Sequence, residues 1–329
     1  MAKVLFSVEE VREKIRRGER LILAGDERVL SQLPEGDWIA GTIPYFMAED
    51  GGEFSREKIH VTRLPDFVDD AVVRTYDEEN IKEIYTHIPP NGFVLLIIPA
   101  SSRVHLSFAM NAPNYKEFAG RPLIGWISGV FLEELGKTTP KVVSGREGKV
   151  FEDIAVAMHV SLPPEKSVDI GIVNIFRPGD GDVLTFPETG FCSETVMVNG
   201  EKTNFAEYLK AKNADTRLPL VADYCGATIN ISFQRIDEDA KVVHFYAPVF
   251  EGVVYRHAAP VSDYVKEFTS HLPEEDLASV FFSCNCILNY LYSELEGKRT
   301  GGITGPITFG EIAYQLLNQT MAYLQIVDA

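Results

Sequence analysis

Two stretches of the 329-residue chain combine residue types that could do chemistry. "SCNC" places Cys284 and Cys286 on either side of Asn285. On a strand that spacing turns both thiols to one face, where they could meet a single ligand. The following "ILNYLYSEL" reads as a helix, and its first amides would favour a thiolate on Cys286, the form a nucleophile needs. The opposing reading is two buried small hydrophobes, because "VFFS" precedes the pair. The second stretch, "GPITFGEIAYQLLNQTMAYLQIVD", sets Glu311, Asn318, Gln319 and Thr320 among apolar residues. A carboxylate there must find a donor, so Glu311 is expected either to cap backbone amides at the Gly310 turn or to hold a ligand amine. Asn318 and Thr320 are expected to bond local backbone or to face a pocket.

Other chemistries lack their signatures. The seven histidines, His60, His87, His105, His159, His244, His257 and His271, are scattered with no nucleophile–base arrangement and no G-x-S-x-G elbow. No Walker or dinucleotide fingerprint occurs. Two thiols without a second Cys or His pair do not make a zinc site, and Asp180 and Asp182 lack the further carboxylates of a calcium loop. The expectation is no metal and no cofactor.

Composition narrows the partners. The chain is 45% hydrophobic and 24% charged, with a net charge of −17 from 31 basic and 48 acidic residues. That is globular composition with a strongly acidic balance, and no Lys/Arg cluster offers phosphate contacts, so nucleic acid is not an expected partner. "GFVLLIIPA" is far too short to span a membrane and reads as a buried strand. "MAKVLFSVEEVREKI" does not read as a signal peptide, and Cys192, Cys225, Cys284 and Cys286 are too scattered for a disulfide framework, so the expected compartment is the cytoplasm.

The elements that must position these residues are mixed. Ser7 with Glu10 makes a capping box opening a helix that ends near Gly18. "ERLILAGD", "WIAGTIPYF" and "KIHVTRLP" read as strands, "DEENIKEIYTHI" as a helix, and "PLIGWISGVF", "KVVSG" and "FEDIAVAMHVSL" as further strands. Asn199-Gly200 marks a hairpin turn and Asn204 caps "FAEYLKAK". "LPLVADY", "ATINISFQRI" and "KVVHFYAPV" form an antiparallel meander. "VSDYVKEFTSHL" follows as a helix capped by Ser262, before the "ASVFFSCNC" strand. The order predicts an α+β fold of two related lobes, 1–185 and 186–329, with mixed, largely antiparallel sheets flanked by helices. "WIAGTIPYF", "LIGWISGVF" and "GGITGPITFGE" share a strand ending in Gly and a hydroxyl, and a Cβ-free strand end admits a close backbone or a ligand. They are expected to converge on one cleft.

The chain resembles the FIST domain family. In the second half the likeness is carried by "VNGEKTNFAEYLKAK", "GVVYRHAAPVSDYV", "FFSCN" and above all "FGEIAYQLLNQTMAYLQI". In the first half "WIAGTIPYF" and "PLIGWISGVF" stand where that family has its Gly-and-hydroxyl strand ends. One departure is that "SCNCILN" offers Cys286 and Asn289 where the family often has an Arg. The resemblance implies a sensory or regulatory protein of signal transduction that binds a small polar metabolite, such as an amino acid, and acts on a signalling protein. The expected lining is Thr42, Tyr45, Ser128, Cys284, Asn285, Thr308, Glu311 and Asn318 in an inter-lobe cleft. The alternatives are an enzyme using Cys284 or Cys286 as nucleophile, and an interaction scaffold with no ligand.

Overall fold

A computed structural model describes residues 2–224, 227–271 and 280–329. The fold is α+β, and its sheets are mixed and largely antiparallel. The first unit runs β1 (Leu5–Phe6), α1 (Val8–Arg16), β2 (Leu21–Gly25), α2 (Glu27–Leu30), β3 (Trp38–Thr42), β4 (Tyr45–Ala48), β5 (Gly51–Phe54) and β6 (Ile59–Arg63). The second runs β7 (Asp70–Tyr76), a 3-10 segment at Ile81–His87, β8 (Gly92–Pro99), α3 (Arg103–Asn111), β9 (Leu123–Ser128), β10 (Val142–Ser144), β11 (Lys149–Phe151) and β12 (Ala155–Ser161).

The third opens with β13 (Lys166–Val173) and is then interrupted. The insert holds β14 (Leu184–Thr185), β15 (Gly190–Ser193), β16 (Thr195–Val198), β17 (Glu201–Asn204), α4 (Phe205–Ala211), β18 (Leu220–Tyr224), β19 (Ala227–Ile231), β20 (Phe233–Asp237), β21 (Val242–Val249) and β22 (Tyr255–His257). After α5 (Tyr264–Ser270) the unit resumes as β23 (Val280–Cys286), α6 (Ile287–Tyr292), β24 (Gly305–Thr308), β25 (Glu311–Ala313), β26 (Gln315–Leu317) and β27 (Met321–Asp328).

Pairing shows that these units are repeats. The three main sheets have the orders β1-β6-β2-β3-β10-β11, β7-β12-β8-β9-β25-β26 and β13-β27-β23-β24-β4-β5. Each contains one parallel strand–helix–strand pair, β2 with β3, β8 with β9, or β23 with β24. Each unit's last strand runs antiparallel between its first strand and the first strand of its parallel pair. Each unit also lends its hairpin to another: β4–β5 to the third sheet, β10–β11 to the first, β25–β26 to the second. The internal likeness is therefore threefold, with the hairpins exchanged cyclically. The 185/186 boundary falls inside the insert, and the residues on either side of it share sheets instead of forming two separately paired lobes.

Local chemistry explains most elements. The Ser7–Glu10 capping box is formed, and Val11 and Ile15 bury one face of α1 against the first sheet. All residues of β8 are buried, because it contacts both β3 and β13 in neighbouring sheets. Asn199 and Gly200 take positive φ values of 50° and 90° and turn β16 into β17. The Asn204 side chain accepts from the Glu207 amide at 3.0 Å and starts α4. Three expectations need correction. "ATINISFQRI" divides into β19, paired with β18, and β20, paired with β21 in a different sheet, so the expected meander is broken. "DEENIKEIYTHI" forms a 3-10 segment instead of an α-helix, and α5 is capped by Asp263, whose Oδ1 accepts from the Lys266 amide at 3.0 Å, rather than by Ser262. Helix α3 has no counterpart in the sequence reading.

Candidate functional site

The three Gly-and-hydroxyl strand ends occupy equivalent places. Thr42, Ser128 and Thr308 each close the parallel pair of their unit, opposite Gly25, Pro99 and Cys286. The ends converge, but on one another. The Gly129 amide donates to the Thr42 carbonyl at 2.7 Å and the Thr42 hydroxyl to the Gly129 carbonyl at 2.7 Å. The Ile127 amide donates to the Gly310 carbonyl at 2.8 Å, and the Phe309 amide to the Ile127 carbonyl at 3.0 Å. Thr42, Ser128 and Thr308 are buried, and among the described residues no cavity is lined by all three; Thr42 lines a separate recess of about 410 Å³ with Gly129 and Arg56. Their glycines serve close packing: a Cβ on Gly41 would lie 2.5 Å from the Trp126 ring.

Glu311 sits in the same buried junction. Its Oε2 accepts from the Thr320 hydroxyl at 2.9 Å and the Thr320 amide at 3.2 Å, and its Oε1 from the Thr308 hydroxyl at 3.3 Å. The cap expected at the Gly310 turn is not what forms: the one backbone amide Glu311 accepts is that of Thr320, at the turn before β27. Complete burial outweighs these donors and pushes the carboxyl up to about 8, so it is neutral near pH 7. The thiols follow the same rule. Cys284 and Cys286 are buried, and desolvation beside Glu311 pushes both well above the usual thiol range. The thiolate expected at Cys286 is therefore not favoured, and Cys284 donates weakly to the Gly125 carbonyl at 3.3 Å. Iodoacetamide at neutral pH should label exposed Cys192 and leave Cys284 and Cys286 unmodified in the folded protein; mass spectrometry of the digest reads this directly.

Tyr45 and Asn285 also belong to the interior. The Tyr45 ring lies between Phe54 and Tyr290, at 5.1 and 5.7 Å, and its hydroxyl accepts from the Leu132 amide. Asn285 bonds Asn289 and Tyr264.

The cavity that can hold a ligand lies beside this junction. A cleft of about 910 Å³ opens at the carboxyl ends of β8 and β23, between α3, α6, the 132–140 loop and the insert strand β21. Its walls are mainly apolar, with Leu106, Leu135, Leu291, Phe191, Ile287 and Phe309 prominent. Arg103, Lys137, Glu152 and Asp153 stand among its polar lining, Arg103 being paired with Asp153. Of the residues expected to line a site, Cys286 and Asn318 do so.

The decisive side chain, His105, carried no distinguishing signal among the seven histidines. It lies in the first turn of α3, where the Ser102 hydroxyl accepts its amide at 3.1 Å. The Ser101 amide donates to His105 Nδ1 at 3.1 Å, with Ser101 at φ +61°. That fixes the neutral tautomer with the proton on Nε2, and burial holds the ring's pKa down at about 4. Nε2 has no partner among the described residues, nor has Asn318 Oδ1, whose Nδ2 donates to the Leu317 carbonyl at 2.9 Å. Two side chains of the cleft wall, 7% and 1% exposed, thus present an unmet donor and an unmet acceptor. Buried polar groups are nearly always paired; orphaned atoms also occur at residues away from the cleft, such as His60, Trp126 and Ser128, and these two are set apart by belonging to residues of its lining.

A family model matches residues 6–327. The chain belongs to the family of unknown function DUF6976. The match covers all three repeats and the insert, so the whole architecture, cleft included, lies within the family's span. No curated protein matches the chain. Among the described residues no helix is long and apolar enough to cross a membrane.

Proposed function

We propose that this protein binds a small molecule in the cleft between α3, α6 and the insert, and that its role is sensory or regulatory. The observation that carries the reading is that His105 Nε2 and Asn318 Oδ1, on two residues that line a mainly apolar cleft, are both left without a partner among the described residues. Its volume of about 910 Å³ falls within the range of small-molecule sites, roughly 300–1,000 Å³. The lining favours a different ligand from the polar metabolite expected at first. It suits an apolar body with one polar edge, which accepts from His105 and donates to Asn318. The FIST resemblance supplies the sensory part of the proposal, and partner proteins belong to it on the same footing. Cys286 reaches the cleft, but its protonated thiol favours a contact role over a nucleophilic one.

A thermal-shift screen tests this with hydroxy- and amino-substituted indoles and naphthalenes set against free amino acids. A fitting compound at about a hundred times its Kd adds about 2.7 kcal/mol and raises the melting temperature. Leu135→Glu changes a 52%-exposed residue of the cleft, so it should leave the fold intact and remove the shift. Flat responses across the aromatic set, or shifts unchanged in Leu135→Glu, would reject the proposal.

A further inference from the structure

Helix α6 separates the large cleft from a second recess. Leu288 and Leu291 line the cleft, whereas Asn289 and Tyr292 line a cavity of about 500 Å³ shared with Phe176, Leu218 and Tyr264. The turn before β27 divides in the same way, Asn318 lining the cleft and Gln319 the recess.

Two polar groups of this recess are left with unused capacity. Asn289 is 2% exposed; its Nδ2 donates to Asn285 Oδ1 at 2.9 Å and to the Thr320 carbonyl at 3.3 Å. Its Oδ1 has no partner among the described residues. Tyr264 is 8% exposed, and its hydroxyl accepts from Asn285 Nδ2 at 3.5 Å. The hydroxyl's own proton has no acceptor among the described residues, and burial raises its pKa, so it stays on the oxygen. A single carboxamide, that of Asn285, therefore holds both groups and sets an acceptor and a donor side by side. The charges are engaged elsewhere: Arg217 pairs with Asp215 at 2.7 Å, Lys298 donates to the Ser293 carbonyl at 3.3 Å, and Asp263 caps α5. Lys298 also lies 4.0 Å from Glu294, so each charged side chain of the recess has a partner among the described residues.

We propose that this recess is a second binding site, for a small neutral molecule with a carboxamide or cyclic-amide edge that gives its N–H to Asn289 Oδ1 and takes the Tyr264 hydroxyl on its C=O. A donor–acceptor edge of that kind meets both unused groups at once, whereas a carboxylate would face the Asn289 oxygen with no proton to offer. The site is independent of the ligand proposed for the large cleft.

Calorimetric titration with nicotinamide and with uracil tests it, with nicotinate as the charged comparison. Weak saturable binding in the millimolar range is expected for the two amides and none for nicotinate. Tyr264→Phe keeps the ring stacked on Phe268, 5.5 Å away, and removes the hydroxyl, both the donor offered to the ligand and the acceptor of the long Asn285 Nδ2 bond. It should weaken the amides about five- to tenfold and leave the aromatic ligand of the large cleft unaffected. No saturation by either amide at about 10 mM, equal binding of nicotinate, or unchanged affinity in Tyr264→Phe would overturn the proposal.

Discussion

Wild-type stability should fall between pH 6.5 and 8, and Glu311→Gln should abolish that fall. The folded carboxyl titrates at about 8 against an ordinary value of 4.5, so across that interval the folded state holds a proton that the unfolded chain has lost. A raised carboxyl is least costly below its unfolded pKa, and its penalty grows as pH rises towards the folded value. From 6.5 to 8 the loss is about 2 kcal/mol, at roughly 1.4 kcal/mol per pH unit. Buried histidines act with the opposite sign in a lower window. His60 and His105 are held down at about 4 and His159 at about 3, so each stabilises the fold above its ordinary 6.5 and loses that contribution as pH falls. Stability should therefore peak near pH 6.5. Urea denaturation at half-unit pH steps reads both limbs, and an alkaline limb that persists in Glu311→Gln would show that Glu311 is not its source.

Gly125→Ala should prevent folding. A Cβ at Gly125 would lie 1.8 Å from the Leu96 carbonyl oxygen, which belongs to the backbone of the parallel partner strand β8. Backbone in the middle of a paired, wholly buried strand cannot yield as a side-chain tip can. The cost should exceed the roughly 1–3 kcal/mol of ordinary overpacking and consume much of a stability of about 5–15 kcal/mol. Gly181→Ala is the control, since a Cβ there meets nothing within 4 Å. Soluble, cooperatively folding Gly125→Ala protein would contradict the sheet register described for β8 and β9.

Much of this was legible in the residues, for reasons that can be stated one by one. The Ser7–Glu10 box, the unbroken apolar run of β8 and the Asn199-Gly200 turn each carry their local geometry in the residue types themselves. The likeness among "WIAGTIPYF", "LIGWISGVF" and "GGITGPITFGE" did mark equivalent strands, β3, β9 and β24. What it could not convey was that the glycines admit Trp126 and the Leu96 backbone instead of a ligand. The hairpin exchange was invisible because pairing partners such as β4 and β24 lie far apart in sequence. Helix α3 escaped notice because it faces neighbouring sheet elements and the cleft at once. Val104, Phe108 and Ala109 are buried while Leu106 is exposed, so its apolar residues form no single stripe. With the helix went its histidine: one more scattered His until the fold sets its Nε2 in the wall opposite the insert. Asn318 and Cys286, which line the cleft, had been singled out because polar groups among apolar neighbours are visible in any sequence. Thr308 and Glu311 share that signal, yet their partners lie within the protein.

The account rests on the polar pair in the cleft wall holding a ligand. The measurement that reaches it most directly is the calorimetric affinity of the best aromatic compound for His105→Phe beside wild type. Loss of a buried donor from a ligand that accepts it should weaken binding about tenfold or more, in a free protein that still unfolds cooperatively at a melting temperature lowered by the loss of the Ser101 amide's acceptor. Equal affinities for the two proteins would contradict the account.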